Sequence, residues 1–160
     1  MADSLADGRT RVAYVPSIAN PAAPTVDELN AGLLLQDVMT ADGLIGFEAS
    51  TAEVDTSALG STFDTKTIGR DSFSGTMLRL KKQTGSDPAF ATLTRGTDGY
   101  VVIRRDVAKD TGWAAGQDVE VYPIICGRRR NLPPEANSVR RYEVPTMITD
   151  DPELDAVVAS

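Results

Sequence analysis

Short apolar or alternating runs, punctuated by Gly, Pro and Asp, dominate the chain and predict strands. The first is Arg11-Val12-Ala13-Tyr14-Val15, ended by Pro16. Leu44 to Ser50 follows the Asp42-Gly43 turn signal as a second. Phe73 to Lys82 alternates well: Thr76, Leu78 and Leu80 point one way, Met77, Arg79 and Lys81 the other. Gly96 to Gly99 reads as a turn, and Tyr100 to Arg105 as an apolar strand that becomes basic. Asp118 to Cys126 carries the strongest strand pattern, and Val139 to Thr149 the last long one. Pro123 and Pro145 fall inside these two and imply an edge or a bulge there. Leu154 to Val158 predicts a terminal strand.

Two segments depart from this period. Thr25-Val26-Asp27-Glu28 has capping-box spacing, and Val26, Leu29 and Leu33 then share one helical face. Asn30 and Gly32 keep that helix short. Ser86 or Asp87 caps a second short helix, with Pro88 in its first turn. Thr51 to Ser72 is too rich in Ser, Thr, Asp and Gly for a core. It reads as a long loop or extended arm, ending in a strand near Phe63 to Ile68. The expected domains are an N-terminal arm over 1–10, a single domain over 11–149 and a C-terminal tail over 150–160. The expected fold is mainly β, sandwich-like or barrel-like, with one or two short flanking helices and a long inter-strand loop.

Composition changes the picture mainly by exclusion. The 160 residues suit one domain with a real core. No run approaches the ~18 apolar residues of a membrane helix, so no membrane role is expected. The start, Met1 to Asp7, has no basic segment followed by an apolar one, so synthesis without a signal peptide is expected. The chain has no histidine. That removes Ser-His-Asp and Cys-His machinery and the usual zinc sites. Nucleophile-elbow, Walker and dinucleotide-binding motifs are absent too. In Asp64-Thr65-Lys66-Thr67 the lysine does not directly follow the aspartate, so the likeness to an aspartyl-phosphate site fails. Asp150-Asp151, followed by Pro152, reads as a solvated turn, and Asp27-Glu28 as a helix start. Cys126, the single cysteine, reads as a small buried residue. The expectation is therefore no enzyme: no catalytic residue, no cofactor and no metal.

The net charge of -7 is unevenly spread. Residues 1–60 hold nine acids against Arg9 and Arg11, and residues 143–160 hold five acids and no base. The middle is net basic, which lets copies of the chain attract one another. Arg128-Arg129-Arg130, with Arg140 and Arg141, is the one basic cluster. Phosphate binding is one reading of it. With no interleaved aromatic and an acidic chain, pairing with acids of the same or a neighbouring chain is the better one.

Five ordered segments resemble the major tail tube proteins of long-tailed phages, especially those of actinobacteria. They are Pro24-Thr25-x-x-Glu28-Leu29-x-x-Gly32 with Asp42-Gly43; Val54-Asp55-Thr56-x-x-Leu59-Gly60-Ser61-x-Phe63 with Ile68-Gly69-Arg70; Asp87-Pro88-Ala89-Phe90 with Arg95-Gly96-Thr97-Asp98-Gly99-Tyr100-Val101-Val102-Ile103-Arg104; Val119 to Pro123; and Arg141 to Pro145. The resemblance spans most of residues 24–149. It implies a virion protein of the phage tail, assembled in the host bacterial cytoplasm from hexameric rings that stack into a hollow tube for DNA delivery. Tape measure, tail terminator and distal tail proteins are the implied partners beside the chain itself, and passing DNA is not bound specifically. The long loop is implied to reach an adjacent ring, with Asp55, Phe63, Asp64, Arg70 and Asp71 as contacts. Glu48 and Glu53 are the candidate acidic lining of the channel, and Arg128, Arg129 and Arg130 a candidate inter-subunit cluster. A head-tail joining or head decoration protein is the nearest alternative, and a β-sandwich ligand-binding module a further one.

Overall fold

The computed structural model describes residues 2–160, in which strands hold 41% of the residues and helices 6%, so the chain is mainly β. β1 (Arg11–Val15) has all five residues buried. After it come α1 (Val26–Asn30), β2 (Leu33–Leu34) and β3 (Met39–Ile45), then β4 (Ser50–Asp55) and β5 (Lys66–Ser72). The chain continues through β6 (Met77–Lys81), α2 (Pro88–Thr92), β7 (Asp98–Arg104) and β8 (Asp118–Cys126). It ends with β9 (Arg130–Asn131), β10 (Arg141–Ile148) and β11 (Glu153–Val157). The main sheet runs in the order β2-β1-β7-β8-β10-β6-β3, with β11 beside β8 and β9 beside β10. All of these pairings are antiparallel. The sheet curls into a half-barrel.

Burial explains why the central strands read as continuous apolar runs. Val12 and Tyr14 of β1, Val101 and Ile103 of β7, and Tyr122, Ile124 and Cys126 of β8 join Leu78, Leu80, Tyr142 and Val144 in one core cluster. Ala13, Val15, Val102, Val119 and Val121, their alternates, join Leu29, Trp113, Ala156 and Val158 in a second. With period-2 alternation, the two clusters lie on opposite faces of the sheet. Each short helix covers one of them: α2 supplies Ala89 to the first, with Leu93 just beyond it, and α1 supplies Leu29 to the second. Fully burying such side chains stabilises by about 1.5–3 kcal/mol each, whereas the helices, at five residues, have little stability of their own.

Local signals hold well. Thr25 caps α1 as a full capping box, its hydroxyl accepting from Glu28 N while the Glu28 carboxylate accepts from Thr25 N. Asp87 caps α2 with Pro88 at its start. Both interior prolines lie where their strand changes partners. β8 pairs β11 up to Val121 and β10 from Ile124, so Pro123 falls in the gap, its carbonyl accepting from Thr149 N. β10 pairs β9 at Tyr142 and Glu143, and β8 from Thr146, so Pro145 occupies the corresponding gap. A missing N–H therefore costs the ladder nothing at either place.

Four expectations are corrected. The strand expected over Leu44 to Ser50 ends at Ile45, because Gly46 (φ +75°) turns the chain out of the sheet. Asp42-Gly43 is not a free turn: it lies within β3, at an irregular register between Met39 and Leu44. A Cβ at Gly43 would meet the Arg79 carbonyl oxygen at 2.7 Å, so only glycine allows this approach. Leu33 leaves the α1 face and starts β2, since the helix ends at Asn30. Thr51 to Ser72 is largely regular rather than loop: β4 and β5 form a hairpin outside the main sheet, and its second strand spans Lys66–Ser72 rather than Phe63 to Ile68.

A buried pair of arginines ties the 106–113 segment to the sheet. Arg104, fully buried, donates to the carbonyls of Ala108, Thr111 and Gly112 and to Gln117. Arg11, its cross-strand partner, donates to the carbonyls of Lys109 and Thr111. Both guanidiniums lie against Trp113, 4.9 and 5.2 Å from its ring centre. Burial, then the Arg11 charge, pull the Arg104 pKa down.

Candidate functional site

The β4–β5 hairpin is the first candidate surface. β3 leaves the sheet at Gly46 (φ +75°), where a Cβ would meet the Gly75 carbonyl oxygen at 2.7 Å. The hairpin then pairs from Ser50↔Ser72 to Asp55↔Lys66 with one register shift. Its β-branched and hydroxyl residues favour strand, and all of β4 is exposed. Thr56 N donates to the Thr65 carbonyl, and Thr65 N to Ser57 Oγ. Ser61 N donates to Ala58 O, so local bonds shape the tip. The tip nevertheless presents Leu59 and Phe63, and the shaft Ile68, at 106%, 74% and 79% exposure. These apolar groups find no cover on their own subunit.

The sequence-derived contact residues all fall on this element. Asp55 closes β4 and accepts from Ser57 N at 2.8 Å, and that backbone bond, aided by the Ser57 side chain, lowers its pKa. Asp71 accepts from Thr51 Oγ1 at 2.6 Å. Phe63 and Asp64 lie exposed in the tip, and Arg70 lies exposed on β5. Sequence reasoning missed Leu59 and Ile68. The signal available for them was an apolar residue inside a segment otherwise too polar for a core.

The candidate channel acids occupy different surroundings. Glu48 is exposed in the linker between β3 and β4. Glu53 is exposed on β4, and its carboxylate lies 2.6 Å from Lys66 Nζ, so its charge is largely offset locally.

The basic turn after β8 is the second candidate surface. Arg129 donates to the Phe90 carbonyl and stacks 3.8 Å from the centre of the Phe90 ring. Lys82 Nζ also lies over that ring, at 4.8 Å. Arg130 pairs with the buried Glu143 at 3.5 Å, where Arg79 also reaches it at 3.3 Å. Arg141 pairs with Glu135 at 3.1 Å. Arg128 has no ion pair among the described residues. It lines a cleft of about 250 Å³ with Phe90, Thr94, Arg95, Arg129 and Asn131. Arg95 was not anticipated, because 33 residues separate it from Arg128 in the chain.

Other chemistry is sparse. No group of three or more metal-ligating side chains occurs among the described residues. Burial of Cys126 pushes its thiol up to about 11, which disfavours the thiolate. Among the described residues, no helix is long and apolar enough to cross a membrane.

A family model described as "Phage tail tube protein" matches residues 1–160. No curated protein sequence matches the chain. Among solved structures, the chain is similar to one in a "Cryo-EM structure of the anti-feeding prophage (AFP) baseplate, 6-fold symmetrised". That similarity has a TM-score of 0.63 at 12% identity and covers 94% of this chain and 95% of the other. At such identity the likeness speaks for the fold alone.

Proposed function

The chain belongs to the phage tail tube protein family, and from that premise we propose that it forms hexameric rings that stack into the hollow tube through which DNA leaves. As a structural tail protein it has a non-enzymatic role by family, and the tail of the virion is its place. The finer reading adds assembly in the host cytoplasm and contact with tape measure, tail terminator and distal tail proteins. The six-fold symmetry named for the similar baseplate structure is consistent with a six-membered ring.

The observation that carries self-assembly is the hairpin. A two-stranded ribbon outside the sheet, with Leu59, Phe63 and Ile68 uncovered, gains its stability from a partner. In this reading β4 and β5 reach a subunit of the adjacent ring, and Asp55, Phe63, Asp64, Arg70 and Asp71 lie in that contact. The sheet also ends in two unpaired edges, at β2 and β3, and ring closure would remove exposed edges of that kind. Glu48 and Glu53 contribute acid to the channel wall, where negative charge repels phosphate. Glu53 contributes less, because of Lys66.

The test replaces Thr51–Ser72 by a two-residue turn. Ser50 pairs with Ser72, so the residues left flanking the gap, Ser50 and Phe73, lie only one chain step from a paired position, and a short link joins them. The expected product is a folded, soluble subunit that builds no tubes. Normal tubes from this variant would refute the role given to the hairpin.

A further inference from the structure

The chain crosses between the sheet and the β4–β5 hairpin twice, and each crossing carries a glycine and a phenylalanine. Gly46 (φ +75°) stands directly before Phe47, and Gly75 (φ +66°) follows shortly after Phe73. Left-handed glycines let both crossings turn sharply and leave their backbone soft. The two turns meet, since the Thr76 hydroxyl donates to the Gly46 carbonyl at 3.1 Å. That bond keeps the crossings side by side, but between two soft turns it does not set the angle at which the ribbon leaves.

The phenylalanines are the firm part. Both rings stand edge-on to Tyr122 of β8: Phe47 with centroids 5.1 Å apart at 80°, Phe73 at 5.8 Å and 88°. Phe47 is buried in the first core cluster, and Phe73 packs against that cluster half-buried. Tyr122 is itself held. Its hydroxyl donates to Glu120 Oε1 at 2.6 Å, and Arg105 Nε donates to the other Glu120 oxygen at 2.5 Å. Both crossings therefore clasp one ring that is fixed to a central strand. Beside them, on the β5 flank, a cleft of about 550 Å³ lies between Arg70–Phe73 and Ile148–Pro152, so the ribbon is not packed down along that side.

We infer that Phe47 and Phe73, clasped on Tyr122, are positioning residues that fix the direction in which the hairpin projects from the free subunit. Leverage makes that direction matter. The six residues of β4 span about 20 Å at roughly 3.3 Å per residue. A tilt of about 20° at the base then moves the far end by about 7 Å. A ribbon already aimed at its partner loses less freedom on docking. The consequence for assembly rests on the hairpin reading above, whereas the clasp is a property of the free subunit and is tested there.

Spin labels at Thr67→Cys on β5 and Asp118→Cys on β8, both exposed positions, report the ribbon-to-sheet distance by double electron–electron resonance. The background carries Cys126→Ala, and the chain is kept dilute enough to stay monomeric. The parent should give one narrow distance distribution. Phe73→Leu keeps an apolar side chain but removes the ring edge, and should broaden the distribution about twofold or more. Phe47→Leu should act the same way, and Phe73→Tyr should restore the parent width. Hydrogen exchange of the β7 and β8 amides should stay at the parent level in Phe73→Leu. Faster exchange there would mark a general loosening and overturn the inference. So would a broad distribution in the parent, or one as narrow in Phe73→Leu as in the parent, whatever becomes of assembly. Broadening together with normal tubes from unlabelled Phe73→Leu would leave the clasp standing and refute the role given to the hairpin.

Discussion

Single residues decide how firmly the subunit holds its shape. Arg104 is fully buried and has no ion-pair partner among the described residues, so its charge is held by carbonyl dipoles and by the Trp113 face. Arg104→Met should cost roughly 3 kcal/mol, because the Ala108 carbonyl loses its side-chain donor and the Thr111 and Gly112 carbonyls each lose one of two. Urea denaturation of the hairpin-shortened subunit measures this free of assembly. Glu28 gives a pH signature. Its pKa is lowered by backbone bonds from Thr25 first and then from Ala19. A lowered folded-state pKa means that the stabilisation is complete above the ordinary value of 4.5 and fades as pH falls through the folded value. Wild type should therefore lose stability relative to Glu28→Gln as acid is added below about pH 4.5, and hold its advantage at neutral pH. Thermal melts of both proteins across that range check the sign.

At the scale of elements, the sheet and the hairpin have different reasons to exist. The sheet strands bury both faces, whereas the hairpin is held by backbone pairing, tip bonds and exposed side-chain pairs such as Glu53–Lys66 and Thr51–Asp71. Leu59→Ser with Phe63→Ser should thus change subunit stability by no more than about 0.5 kcal/mol, yet weaken assembly several-fold. Melting and sedimentation on the same samples separate the two effects. This contrast also explains what was legible in the sequence. The strands over Arg11–Val15 and Asp118–Cys126, and the caps at Thr25 and Asp87, are local, so they could be read directly. The Asp42-Gly43 irregularity and the β4–β5 pairing depend on what lies across the ladder, which no short window contains. Pro123 was legible as an edge signal, but the edge proved to be a gap between two partners of a central strand. The Arg95–Arg128 neighbourhood escaped for the same reason, because tertiary folding alone brings those turns together.

The whole molecule is a curled sheet whose strand order ends at β2 and β3, with a projecting ribbon outside it. None of these features completes itself within one subunit. A net charge of -7 makes separate copies repel one another at long range. The most direct test is negative-stain electron microscopy of the purified full-length chain over rising concentration. The account predicts six-fold rings that stack into hollow tubes of uniform diameter. Monomers at every concentration, or closed rings that never stack, would contradict it.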